Sequence, residues 1–192
     1  QSRGGEQNDA GKDHEGESAS LHPHPSTSPK VSGIGFSVST ENCYYGFMPE
    51  TIPGPLFIER EFTVKTYDID FAGHVSNIVY VRWLEDLRFA LLEEYYPLES
   101  SMAAGIAPVL TRTEIDYKSA VRLFEPVTGQ MWAGNAGGVR MDLHARFLVG
   151  DRLCATVRQQ GVFASLETGK PVKIPAEFRT IYKAQRMALG EG

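Results

Sequence analysis

The sequence predicts an α+β fold in which an antiparallel five-stranded sheet wraps around one long helix, and three observations carry that expectation. Downstream of Ser76, Tyr80, Leu84, Leu87 and Leu91 recur at spacings of four, three and four, with Trp83 and Ala90 widening the stripe. Such spacing builds one buried helix face. Several other stretches alternate apolar and polar residues with a period of two, the mark of half-buried strands. Short glycine-containing turns at 135–138 and 150–151 link the last three of those stretches, which suits strands that are neighbours in an antiparallel sheet. A sheet of this kind with a single long helix must bury one face against it.

The elements follow in order. Ile58, Phe62 and Val64 alternate with Glu59, Glu61, Thr63 and Lys65, a strand that delivers the chain into the loop Asp68 to Gly73. The helix begins at Ser76 or Asn77, either of which is a favoured cap, and proline ends it around Tyr95 to Pro97. After Gly105, Val109, Thr111, Thr113, Ile115 and Tyr117 are expected on one face, with Arg112, Glu114, Asp116 and Lys118 on a wet one. A third, weaker strand spans 126–136, and Asn-Ala-Gly-Gly at 135–138 signals a hairpin. Met141, Leu143, Ala145 and Phe147 then alternate with Arg140, Asp142, His144 and Arg146. Gly150 and Asp151 form a turn into a fifth strand that ends near Leu166. The segment 167–175 is expected as loop, and Ala176 to Met187 as a short terminal helix.

Composition divides the chain before that domain. Residues 1–30 are rich in Gly, Ser, Pro, Glu and His, and such a stretch buries too little apolar surface to offset the entropy of ordering, so a disordered tail is expected. His14, His22 and His24 lack cysteine or carboxylate partners at ligand spacing, so no metal site is expected. Residues 31–55 introduce Phe36, Tyr44, Tyr45 and Phe47 and are expected to lie extended, as a lid or as a clamp. The folded domain runs over 56–187, and 188–192 is a flexible end.

The whole sequence of 192 residues is 42% hydrophobic, enough for one core, and its net charge of −5 without a basic block excludes a nucleic-acid footprint. No apolar run approaches the ~18 residues of a membrane span, and no signal-peptide pattern opens the chain. Cys43 and Cys154 are too few and too far apart for a disulfide framework. A cytoplasmic location is the expectation.

The densest chemistry lies between Tyr67 and Arg88, where two carboxylates, a glycine and a histidine precede the helix. The first turn of a helix presents unpaired N–H groups and the positive end of the macrodipole. A carboxylate beside those donors supplies a base or nucleophile on one side of an acyl carbonyl and fixed dipoles for its developing oxyanion on the other. Asp70 and His74 are placed for this, and Gly73 permits the sharp or left-handed turn that folds the loop against the helix start. Asp-x-Asp before a helix is equally a turn whose side chains cap backbone amides. Glu85 is a further candidate, although Glu85 and Arg88 at i, i+3 also make a helix ion pair. His144 lies on the polar face of the fourth strand, where a solvent-facing role is the simpler reading. Ser119 and Ser165 lack a nucleophile-elbow context, and no glycine-rich phosphate loop is present.

Asp68, Asp70, Gly73, His74, Val75, Asn77, Tyr80, Glu85 and Arg88 resemble the signature of the hotdog-fold acyl-CoA thioesterases of the 4-hydroxybenzoyl-CoA thioesterase type. Their pattern is usually Asp-x-Asp-x-x-Gly-His-Val-Asn-Asn, followed by Tyr and Glu-x-x-Arg, and this chain departs from it at Ser76. The resemblance covers roughly 56–187. It implies a hotdog fold, hydrolysis of an acyl-CoA or acyl-carrier-protein thioester without a cofactor, and a homodimer or homotetramer with sites at the shared interface. It also implies that Asp70 is the general base or nucleophile, that the N–H near Asn77 polarises the thioester carbonyl, and that Glu85 belongs among the candidates, since some relatives use a helix glutamate. A dehydratase of the same superfamily is disfavoured because its Phe-Pro-Gly motif is missing. A catalytically silent acyl-CoA-binding or scaffolding domain is the alternative, against which the pairing of Asp70 with Gly73 and His74 argues.

Overall fold

The computed structural model describes residues 54–190, so the expectations for 1–30 and for nearly all of 31–55 lie outside the described residues. In chain order the elements are β1 (Ile58–Thr63), α1 (Asn77–Tyr95), α2 (Leu98–Ala103), β2 (Ile106–Tyr117), β3 (Pro126–Gly137), β4 (Arg140–Val149), β5 (Arg152–Ser165), β6 (Pro171–Val172) and α3 (Ala176–Ala188). The sheet runs β1-β3-β4-β5-β2, with β6 beside β5. Every pairing is antiparallel. None of the described helices is long and apolar enough to cross a membrane.

α1 forms because its apolar positions fall on one stripe, and that stripe is what it buries: Tyr80, Trp83, Leu84, Leu87 and Leu91 are all within the core. The sheet answers with alternate residues of β3 and β4, Met131, Ala133, Leu143, Ala145 and Phe147. Phe147 is fully buried, with Tyr80 at 5.3 Å and Trp83 at 5.7 Å between ring centroids. Truncating so enclosed a phenyl ring costs about 3–5 kcal/mol. Gly129 lets the layers close, because a Cβ there would stand 2.6 Å from the Phe62 ring and 3.2 Å from Leu87. Tyr96, Phe163 and Phe178 pack edge to face and seal the end of the core against α3.

The expected α+β architecture is present, with adjustments. Five long strands are joined by a sixth of two residues, β6, inside the segment expected as loop. α2 is a helix of six residues that no periodicity announced. The hairpin tip sits at Gly138 and Val139, since β3 runs on to Gly137 past a register shift between Ala133 and Ala136. β2 does not show a dry face: Val109 is 45% and Tyr117 44% exposed, Thr111 and Thr113 are exposed, and only Ile115 is half-buried. Two causes act together. β2 is an edge strand, and its pairing with β5 shifts register between Leu110 and Arg112, so the period of two is interrupted.

Candidate active site

The loop between β1 and α1 is built on its own carboxylates. A single 3-10 turn at Thr66–Asp68 buries Asp68, whose Oδ2 accepts the Lys65 N–H at 2.9 Å and whose Oδ1 accepts Arg82 Nη2 at 2.8 Å. The Asp68 carbonyl takes the Ser76 N–H at 2.8 Å, which fixes the helix start to the loop. Between these points the chain makes a small antiparallel bridge, Ile69 to Val75, closed by Asp70 N–H to His74 O at 2.9 Å and Gly73 N–H to Asp70 O at 3.0 Å. Gly73 has φ of +77°, the left-handed conformation that its lack of a Cβ makes inexpensive.

Asp70 is therefore held from one side only. Its Oδ1 accepts the Ala72 N–H at 2.8 Å and, at a long 3.5 Å, the His74 N–H. Its Oδ2 has no hydrogen-bond partner among the described residues, and Asp70 lines a cleft of about 240 Å³ with His74, Asn77, Tyr80, Tyr117 and Lys118. Ser76 is the N-cap in extended conformation, yet its hydroxyl makes no capping bond. Val79 N–H donates to Ser76 O at 2.9 Å, and the N–H groups of Asn77 and Ile78 have no protein acceptor among the described residues. Asn77, with its free N–H at the positive end of the helix dipole, thus lines the same cleft as Asp70.

Tyr80 and Tyr117 wall the cleft, their rings edge to face at 5.2 Å, and Tyr117 OH donates to Asn77 O at 3.4 Å. Burial pushes the Tyr80 hydroxyl up to about 12, so it stays protonated. Neither tyrosine nor Lys118 was marked as a site residue by the sequence: Tyr80 reads as core, and Tyr117 and Lys118 reach the cleft only through the fold. A weak cue is that polar Lys118 and Ser119 directly follow the strand that ends at Tyr117.

The structure brings Asp70, Gly73, His74 and Asn77 together and sets Glu85 apart. Glu85 lies eight residues along α1 from Asn77, about 12 Å, and pairs with Arg88. Arg88 in turn donates to Gln159 Oε1 at 3.0 Å, and the buried Gln159 donates to Thr113 Oγ1 at 3.2 Å. Glu85 and Arg88 line a second, largely apolar cavity of about 130 Å³. His144 stacks on Trp132 at 6.0 Å on the opposite face of β4 from Leu143 and Ala145, away from the cleft. Burial holds its imidazole below the ordinary range. Among the described residues no three His, Cys, Asp or Glu side chains gather as a metal site.

A long helix wrapped by an antiparallel sheet in this strand order is the hotdog fold. The chain belongs to the Thioesterase-like superfamily, whose sequence model matches residues 64–181, and thioester hydrolysis is the activity that membership supports. No curated protein gives a significant sequence match. Several solved structures share the fold. The YbaW probable thioesterase from Escherichia coli is 22% identical with a TM-score of 0.61, covering 66% of this chain and 97% of that one. The DHNA-CoA thioesterase from Staphylococcus aureus is 17% identical with a TM-score of 0.64, covering 71% and 95%. The 1,4-dihydroxy-2-naphthoyl-CoA thioesterase from Synechocystis is 18% identical with a TM-score of 0.60, covering 66% and 96%.

Proposed function

We propose that this protein is an acyl thioesterase of the 4-hydroxybenzoyl-CoA thioesterase type, hydrolysing an acyl-CoA or acyl-carrier-protein thioester to free acid and thiol. One observation carries the reading: Asp70, with its unpartnered Oδ2, and Asn77, with its unpartnered N–H at the helix start, line one cleft. In this reading the thioester carbonyl oxygen accepts from the Asn77 N–H, which stabilises the charge that develops on it. Asp70 either takes a proton from the attacking water or attacks the carbonyl carbon itself, forming an anhydride that water then opens. In both routes the C–S bond breaks, the thiolate leaves and is protonated, and the acid is released. Gly73 sets the turn, and His74 borders the carboxylate through its backbone.

The same reading places the working unit in a homodimer or homotetramer, supported by the unpaired edge of β2 and its exposed Val109 and Leu110. Thiol release monitored with a panel of acyl-CoAs tests the activity. Release above the uncatalysed rate with at least one acyl-CoA is the expected result, and none with any member, while ligand still binds, would identify a silent binding domain instead.

A further inference from the structure

The second cavity has a chemistry of its own. Leu91, Leu98, Val109, Met141, Leu143 and Phe163 stand in its walls, and among the described residues its charged lining is Glu85 and Arg88 alone. It shares no lining residue with the Asp70 cleft. Thr113 stands on β2 between Val109 of the cavity and Tyr117 of the cleft, so the hydrogen bonds from Arg88 to Gln159 and on to Thr113 cross between the two. They are separate sites.

Arg88 is held as an anion receptor at the cavity edge. Its side chain is only 17% exposed, and burial holds its guanidinium below the ordinary value, as for a cation that has lost water. Nη1 donates to Gln159 Oε1 at 3.0 Å, and the buried Gln159 is fixed in turn by Thr113 Oγ1 at 3.2 Å. One side of the guanidinium is thus locked by neutral groups. Nη2 donates to Glu85, whose side chain is 73% exposed. A helix ion pair at i, i+3 with its carboxylate in water contributes little. The Glu85 carboxylate is therefore an exchangeable occupant of the place beside the apolar wall that a ligand's carboxylate would take.

Size limits that ligand. Apolar cavities of ~150 Å³ hold a ring of about six carbons, and this one is about 130 Å³. We propose that the cavity is a binding site for small apolar monocarboxylic acids with a body of about six carbons, whose carboxylate accepts from Arg88 in place of Glu85. A neutral ligand of the same shape forgoes the charge-assisted bond. The site lies outside the Asp70 cleft and stands whether or not Asp70 is catalytic.

The test is titration calorimetry on the full chain, with phenylacetate as the probe and phenylacetamide as its neutral counterpart. Phenylacetate, with about ten heavy atoms, is expected to bind with a dissociation constant on the order of 1 mM, and the amide roughly tenfold more weakly. Arg88→Gln should weaken phenylacetate by roughly tenfold or more. Glu85→Gln removes the competing carboxylate at a side chain that stands in water, so it should tighten phenylacetate by about two- to fivefold. If Arg88→Gln does not fold, Glu85→Gln carries the measurement. Asp70→Asn is expected to bind phenylacetate as the wild type does. No heat from phenylacetate well above that concentration, equal binding of the amide, or binding that neither Arg88→Gln nor Glu85→Gln changes would overturn the site. Loss of binding in Asp70→Asn would place the acid in the Asp70 cleft and overturn it as well.

Discussion

Arg82 reaches back along the chain to Asp68, its Nη2 donating to Oδ1 at 2.8 Å, while the other carboxylate oxygen caps the Lys65 N–H. Two carboxylates that stand two residues apart in the sequence therefore have separate work. Asp68 is buried and fully engaged, and Asp70 has an oxygen to spare. Removing a charged acceptor from such a pair costs ~1.5–3 kcal/mol. Asp68→Asn is expected to lower the melting temperature by several degrees and to leave turnover of the folded fraction within a few-fold of wild type. Calorimetry beside a thiol-release assay checks both.

Gly73 offers a cleaner test of backbone geometry, because a Cβ built there meets nothing within 4 Å and φ is +77°. Any penalty in Gly73→Ala arises from the left-handed backbone alone, about 1–2 kcal/mol. The loop can relieve that strain only by rotating, which moves Asp70 relative to Asn77. Gly73→Ala is expected to lose more in kcat than its stability loss explains, and Gly73→Asn, which tolerates this conformation better, should recover part of the activity.

Tyr80 gives a pH signature. Its folded-state value of about 12 lies above the ordinary phenol value of 10.0, because burial favours the neutral phenol. Stability from this group is complete below pH ~10 and is lost as pH rises from there through about 12. Tyr80→Phe cannot ionise, so its melting temperature is expected to fall less than that of wild type between pH 9 and pH 11.5. Equal alkaline losses in the two proteins would show that Tyr80 does not titrate in this window.

Much of this arrangement was legible in the sequence. The α1 stripe and the β4 alternation were unambiguous because both elements are buried along one whole face, and burial is what imposes a period. β2 was misjudged because an edge strand with a bulge is not held to that rule. α2, six residues with Ser101 alone buried, has no stripe to read. At the site, Asp70, Gly73, His74 and Asn77 fall within eight positions, so local geometry alone collects them. Tyr117 and Lys118 arrive from some forty residues away, and only the sheet topology shows it. Glu85 carries a family-like position on the helix, but helical rise takes it away from Asp70 within one subunit.

The exposed edge of β2, with Leu110 at 39% and Val109 at 45% exposure, is expected to be covered by a second copy. Light scattering at micromolar concentration should report twice or four times the 21.2 kDa chain mass. A species of the single-chain mass alone would contradict the assembly.

In the proposed mechanism Asp70 performs the chemistry and does not merely shape its turn. Asp70→Asn keeps an oxygen to accept the Ala72 N–H and removes charge and basicity. If Asp70 is the base or nucleophile, kcat should fall by roughly 10²–10⁴-fold, with KM and melting temperature nearly unchanged. Single-variant turnover on the best acyl-CoA is the most direct measurement. Near wild-type kcat in Asp70→Asn would remove Asp70 from the mechanism and leave it as a turn residue.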